Sequence, residues 1–318
     1  MVNKKIVCLG GGIGTVNLIK GLKNYFNKIT VVVSMADDGG SSGRLRRLYN
    51  IAPPGDLVSC MAALAKTNDS HLAKILTFRF AGERYGKDEE IGGQKLGNLI
   101  MVAMRDITGS FDKAITLFQK TFNVKGDFLP ATNGNVTISA KTIEGKRIYG
   151  EEKIDMGRYT GKRILEKVFL EPRDAKTSLK VLKNIKEADV IIAGPGDLYT
   201  TILPVLIVKD IKEELKKSRA LKIFVVNVAN KPFETKGYNV NDYVTAVKRH
   251  LGFFPFDKII ANSNFSVGIP KKYKYQYVGL VARSSLNGVQ LITNDIVNEN
   301  FPLYHNSAKL AKTIIENI

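Results

Sequence analysis

The sequence predicts an α/β protein: a doubly wound, mostly parallel Rossmann-like sheet with a helical insertion and a small antiparallel hairpin appendage. Two observations carry this. Short β-branched runs at residues 5–9, 29–35, 189–193, 222–228 and 258–262 alternate with stretches of helical periodicity, and buried parallel strands read as such continuous apolar runs. Three of the runs lead into glycine-rich loops, at residues 10–15, 36–44 and 193–200, and an open α/β sheet holds its ligands at the carboxyl ends of its strands.

In order along the chain, residues 5–9 read as strand, 15–24 as helix with Leu18, Ile19 and Leu22 at helical spacing, and 29–35 as strand again, a βαβ start. Residues 57–66, 70–80, 96–107 and 111–122 read as helices, with a polar loop at 82–93, so a helical insertion is expected over about 57–123. From residue 135 the period falls to two. Val136, Ile138 and Ala140 alternate with polar residues, Glu144-Gly145 turns the chain, and 146–149 returns, which predicts a hairpin appendage within about 130–162. A strand at 163–170 and an amphipathic helix at 176–187 lead to the buried strand at 189–193. Helices at 206–217 and 240–250, weaker strands at 275–281 and 289–293, and a closing helix at 307–317 complete the reading. No solenoid-length repeat or low-complexity linker divides the chain, so one large domain over 1–318 is expected.

With 318 residues and 44% hydrophobic content, the chain can bury a large core. No apolar stretch approaches a membrane span, and the first apolar run is too short for a secretory signal, so a cytoplasmic protein is expected. Cys8 and Cys60 show no framework spacing and read as core thiols. The net charge of +18 invites a nucleic-acid reading, but the basic runs at 209–222 and 271–274 are either interrupted by Asp210, Glu213 and Glu214 or short. A solvated surface that attracts small anions is expected instead, with no nucleic-acid partner.

The first loop offers Gly11, Gly12 and Gly14 for backbone amides to approach phosphate at a helix N-terminus, with Thr15 behind them. It lacks the third glycine of a dinucleotide fingerprint, so a nucleotide is implied without NAD being singled out. In the second loop, Asp37 and Asp38 can hold Mg²⁺ beside a diphosphate, accept from a sugar or base, or cap a helix. Adjacent side chains diverge, so one should face ligand and the other fix loop amides. Ser41, Ser42 and Gly43 read as a nest of amides and hydroxyls for phosphate, with Gly39 and Gly40 as further phosphate-binding positions before it, Arg44 as a bidentate clamp, and Arg46 and Arg47 as solvent-facing.

Pro53-Pro54-Gly55 is a rigid turn that leaves Asp56 either as a helix cap or as a ligand or metal group. A further helix opens with glycines and an amide at Gly92 to Asn98. In the third loop, Gly194 and Gly196 supply amides, Asp197 suits sugar hydroxyls or metal, and Thr200 suits phosphate, with Leu198 between them. His71, His250 and His305 lie outside the glycine loops and read as structural. The chain has no metal-ligand spacing, no Gly-x-Ser-x-Gly elbow and no Walker A lysine, which disfavours familiar hydrolase and P-loop chemistry.

Taken together, Ala36-Asp37-Asp38-Gly39-Gly40-Ser41-Ser42-Gly43-Arg44, Pro53-Pro54-Gly55-Asp56, Leu96-Gly97-Asn98, the loop at 194–201 and Pro232-Phe233-Glu234-Thr235 resemble the YvcK/CofD-like family over about residues 5–265. The resemblance is nearest to the YvcK branch, gluconeogenesis factors linked to cell shape and growth on gluconeogenic carbon sources, whose members bind UDP-sugars such as UDP-N-acetylglucosamine and are commonly homodimers. The CofD branch comprises 2-phospho-lactate transferases, which move a phospholactyl group from a nucleotide diphosphate donor to a deazaflavin with Mg²⁺. The resemblance implies that the first and third glycine loops hold nucleotide or diphosphate, that the segment from Asp37 to Arg44 lines the centre, and that Asp56 and Asn98 complete it. If the chain is an enzyme, Asp37, Asp38 and Arg44 are its expected catalytic residues, with Asp38 and Asp56 on Mg²⁺. Gln94 or Lys95 stands where that branch often has histidine, Val205 where it has asparagine, and Asp197 where it has serine, the last resembling the transferase branch.

Overall fold

A computed structural model of the chain describes residues 3–65, 71–286 and 288–318. Its first strand lies inside the main sheet, next to the central strand. The strands, in chain order, are β1 (Ile6–Gly10), β2 (Ile29–Val33), β3 (Asp127–Pro130), β4 (Thr137–Thr142), β5 (Arg147–Tyr149), β6 (Leu165–Glu171), β7 (Val190–Ala193), β8 (Leu221–Val225), β9 (Ala229–Asn230), β10 (Lys258–Asn262), β11 (Gln276–Tyr277) and β12 (Gln290–Asn294). The main sheet is seven-stranded in the order β12-β10-β8-β7-β1-β2-β3, every neighbouring pair parallel. The chain therefore builds outward from β1 in one direction, then restarts at β7 and builds the other way. The crevice above the carboxyl ends of β1 and β7 is the topological switch point.

The helices are α1 (Gly12–Leu22), α2 (Gly40–Tyr49), α3 (Gly55–Leu64), α4 (His71–Thr77), α5 (Leu96–Thr108), α6 (Phe111–Thr121), α7 (Glu151–Asp155), α8 (Leu179–Lys186), α9 (Leu203–Leu206), α10 (Lys209–Lys217), α11 (Val240–Leu251) and α12 (Ser307–Ile315). Strand side chains alternate between two cores. Ile6, Cys8, Val31 and Val33 pack beneath α1, α3, α6 and α12, while Val7, Leu9 and Val32 face Ile138, Ala140, Val168 and Leu170 of the small sheet. Both thiols are buried and free.

Several boundaries differ from the sequence expectation. The helical insertion holds α3 to α6, but β3 follows it on the edge of the main sheet, a short strand hidden by its Asp127 and Pro130. The strand expected at 163–170 joins the hairpin, giving a three-stranded antiparallel sheet in the order β5-β4-β6. The helix expected at 206–217 is divided into α9 and α10, with a π turn at Leu198–Ile202 before them. Residues 66 and 70, expected in helices, lie outside the described residues. No helix among the described residues is long and apolar enough to cross a membrane.

Candidate functional site

The three glycine loops meet. One pocket of about 660 Å³ is lined by Gly11, Gly12 and Gly14 after β1, by Asp37 and Gly39 after β2, and by Gly196, Asp197 and Thr200 after β7. Contact between the first and third loops leaves no room for a side chain: a Cβ on Gly14 would lie 2.3 Å from the carbonyl oxygen of Pro195. Thr15 is behind the first loop, its Oγ1 accepting the Gly11 amide at 2.8 Å. Leu198 is buried beneath the third loop, and the amide of Gly196 donates to Asn227 Oδ1 at 2.9 Å.

The aspartate pair divides as expected, one to the pocket and one to structure. Asp37 lines the cavity, held by the Gly39 amide and by Ser42. Asp38 turns away: its carboxylate accepts the amides of Glu151 and Glu152 at 3.0 and 2.9 Å and the Thr137 hydroxyl at 2.7 Å, so it caps α7. A carboxylate spent in this way is not available as a catalyst or metal ligand, which corrects both expectations for Asp38.

The phosphate site expected at Gly39 to Arg44 is the first turn of a helix instead. Ser41, Ser42, Gly43 and Arg44 of α2 are buried, and only Gly39 of that group reaches the cavity. Ser41 Oγ accepts from Arg79, and a Cβ on Gly43 would lie 1.8 Å from the Asp38 carbonyl oxygen. Arg44 is no clamp on ligand. Its guanidinium donates to the carbonyls of Gly92 at 2.7 Å, Glu83 at 3.3 Å and Glu90, and so clasps the loop at 82–93. Arg46, expected in solvent, donates to the carbonyls of Asp37 and Val136. Asn98 is fully buried beneath the pocket wall, near Ser42, and does not line the cavity.

The clasped loop brings a cation that sequence reasoning did not single out. Arg84 reaches the pocket along the start of α2, where a Cβ on Gly40 would lie 2.6 Å from Arg84 Nε. Replacing Arg44 with methionine leaves three carbonyls without their charged donor, and a hydrogen bond to a charged group is worth about 1.5–3 kcal/mol. The expected result is a loss of about 2–3 kcal/mol in denaturant unfolding, with hydrogen exchange accelerated at 82–93 more than in the main sheet. Unchanged protection there would show that Arg44 does not hold the loop.

Charges of both signs meet in the cavity. Asp37 is pushed up to about 7 by burial and by the neighbouring Asp56. Burial also raises Asp56, although Lys95 and the Gly12 amide pull it back. Burial and Asp37 together raise Glu151. Beside the third loop, Lys231 donates to Asp197 Oδ2 at 2.7 Å and to Asp155, with Glu234 Oε1 at 3.9 Å. Burial pushes Glu234 up to about 8. Asp155, Asp197 and Glu234 would suit a cation by their spacing, all within 4.8 Å of one another, but the Lys231 ammonium lies among them.

These raised carboxyl pKa values fix a sign. The native state keeps protons that the unfolded chain releases near the ordinary carboxyl values of 3.8 and 4.5, so their contribution is full below about pH 4 and is lost as pH rises through about 7 and 8. Between about pH 6.5 and pH 8.5, above the range in which the buried, low-pKa His250 and His305 give the opposite slope, the urea midpoint of the protein should fall; a midpoint that rises over this range would contradict the assignment.

The matching family model is that of 2-phospho-L-lactate transferase CofD, which covers residues 6–297. The chain belongs to the CofD family. Within this family it is 39% identical over 321 residues to the Gluconeogenesis factor of Bacillus subtilis (strain 168), covering 98% of this chain and 97% of that protein. It is 36% identical to the Putative gluconeogenesis factor of Aquifex aeolicus (strain VF5), covering 99% and 97%. A crystal structure from Bacillus halodurans, described as a member of the UPF0052 family, superposes with a TM-score of 0.89 at 35% identity over 99% of both chains.

Against this family background, the pocket residues that no glycine loop announced include Arg84, Glu151, Asp155, Lys231, Tyr304 and His305. Only the segment at 232–235, beside Lys231, carried a motif that pointed to the site. His305 is buried, its Nε2 donating to the Val226 carbonyl at 3.1 Å, and burial holds it down at about 4, so it stands neutral in the pocket wall at neutral pH. His250 is likewise buried, its Nε2 accepting the Val168 amide.

Proposed function

We propose that this CofD-family protein binds a nucleotide sugar of the UDP-N-acetylglucosamine type in the cytoplasm and acts as a regulator of carbon metabolism and envelope synthesis; of these, the relatives' name, gluconeogenesis factor, supports only the part in carbon metabolism. The observation that carries the reading is the convergence of Gly11–Gly14, Gly39 and Gly196 at the β1/β7 switch point, with Arg84 opposite. A diphosphate there meets the positive N-terminal end of α1 and a guanidinium. Tyr275, Tyr304 and the Asn227 side chain line the same cavity and suit the base and sugar. Calorimetric titration with UDP-N-acetylglucosamine tests this directly. Saturable heat that weakens about tenfold or more in Arg84→Ala, by loss of a charge-assisted contact, is the expected result; no heat and no thermal shift would overturn the reading.

The second reading is a Mg²⁺-dependent transferase of a phospholactyl-type group, favoured by the family model's name and by two buried carboxyls whose mutual repulsion a hard cation relieves. Asp37 and Asp56 are the residues that fit the ion, and it would supply charge neutralisation at a diphosphate. Release of nucleoside monophosphate from a panel of nucleotide diphosphate conjugates with Mg²⁺ would establish it. No release, together with ligand binding that ignores Mg²⁺, would leave the binding protein.

A further inference from the structure

Away from the pocket, the three-stranded sheet gathers cations that are far apart in the sequence. Its ladder sets Lys141 directly opposite Arg147 on one side and Lys167 on the other. Like charges placed opposite one another across strands destabilise a sheet, and only Lys141 of the three is in a direct ion pair among the described residues, with Glu166 Oε2 at 2.9 Å. Charged edges do protect sheets from pairing with other chains, but Lys141 sits on β4, the central strand, where edge protection has no purpose.

The next row of the ladder places Phe169 beside them. Around its ring centroid stand the Arg173 guanidinium at 4.4 Å, the Arg147 guanidinium at 5.6 Å and the Lys167 ammonium at 5.8 Å. Neither arginine has an ion pair within 4 Å among the described residues, and Lys167 shares the field of Glu166 with Lys141. The aromatic face draws cations together that would otherwise separate. Beside the ring lies a cleft of about 280 Å³ lined by Lys167, Phe169 and Arg173 and floored by Leu170, Ile207 and His250. It shares no lining residue with the large pocket.

We infer that this cleft is a second anion site, which takes the phosphate monoester of a small molecule about the size of a sugar phosphate. The cations meet the phosphate dianion, and the apolar floor takes a carbon skeleton. A longer polyanion fits less well, because the cations cluster about one ring and do not form a track, and because Glu166 and Glu171 stand on β6 itself. The site does not depend on what the large pocket binds.

Titration with glucose 6-phosphate as probe, followed by phosphorus NMR and calorimetry, tests the inference. Wild-type protein should bind it saturably, and Lys167→Ala/Arg173→Ala should weaken binding at least about tenfold, as loss of charge-assisted contacts requires. The unfolding midpoint should be unchanged, since both side chains reach solvent, and Phe169→Leu should weaken binding in the same direction. A control pair, Lys271→Ala/Lys272→Ala, should bind like wild type. Binding that survives in the double variant, an equal loss in the control pair, or tighter patch-dependent binding of a single-stranded oligonucleotide or an acidic peptide would each overturn the assignment.

Discussion

Replacing Lys231 with alanine should cost about 3 kcal/mol of stability at pH 8 and clearly less at pH 5, since removing one partner of a buried ion pair costs about 3–5 kcal/mol. The lower end applies because Asp155 and Asp197 keep 21% and 37% of their side-chain exposure, whereas Glu234 has none. Glu234 accepts the Tyr199 amide at 2.8 Å and the Thr200 hydroxyl at 2.6 Å, so it cannot swing away to water without opening the third loop. Once the ammonium is gone, the crowded carboxyls are best relieved by keeping a proton, and the folded-state pKa values of Asp155 and Glu234, already raised by burial, rise further. Stability tied to a raised carboxyl pKa is full below the unfolded value and is lost as pH rises through the folded value. The deficit of the variant must therefore widen from pH 5 to pH 8. Urea denaturation of both proteins at the two pH values measures it, and an equal deficit at both would show that Lys231 is not neutralising the cluster. Restoration by Mg²⁺ at pH 8 would add that the acids form a cation site once the lysine is removed.

How far the sequence disclosed the site depends on the range of the physics at each residue. The strands and the helices with clear apolar spacing were legible because burial imposes a period on local sequence. The convergence of the glycine loops was legible too, because each follows a parallel strand and parallel strands share one carboxyl edge. α2 was not, since Gly40, Ser41, Ser42 and Gly43 have poor helix propensity and argue locally for a loop. Tertiary burial overrides that preference, and it turns Arg44 from a supposed ligand clamp into the clasp of the loop at 82–93. The division of labour within Asp37-Asp38 was predictable in kind but not in assignment, because the partner of Asp38 is the N-terminus of α7, more than a hundred residues away. Arg84, Asp155 and His305 reach the pocket only through tertiary placement, and nothing adjacent to them in the chain marks them. The cation cluster on β4, β5 and β6 is the same case, since no run of basic residues announces it and only the register of the ladder assembles it.

Gly14→Ala should be the most damaging single methyl group in the protein for ligand binding. The added carbon would lie 2.3 Å from the Pro195 carbonyl oxygen, 2.6 Å from its carbon and 3.0 Å from the Gly196 nitrogen, all backbone atoms that cannot rotate aside. Relief requires the first and third glycine loops to part, and overpacking of this kind costs about 1–3 kcal/mol. The parting also moves the N-terminus of α1 away from the third loop, between which the diphosphate is placed, so binding should fall further than stability does. Gly134→Ala is the matched control, because nothing lies within 4 Å of the new carbon there. The expected pattern is an unfolding midpoint that drops modestly for Gly14→Ala and not for Gly134→Ala, with UDP-N-acetylglucosamine affinity reduced about a hundredfold or more only in the first, as mispositioning by about an ångström can do. Should Gly14→Ala keep wild-type affinity despite its lowered midpoint, the diphosphate would have to be held without the two loops touching, and the switch-point reading of this pocket would fail.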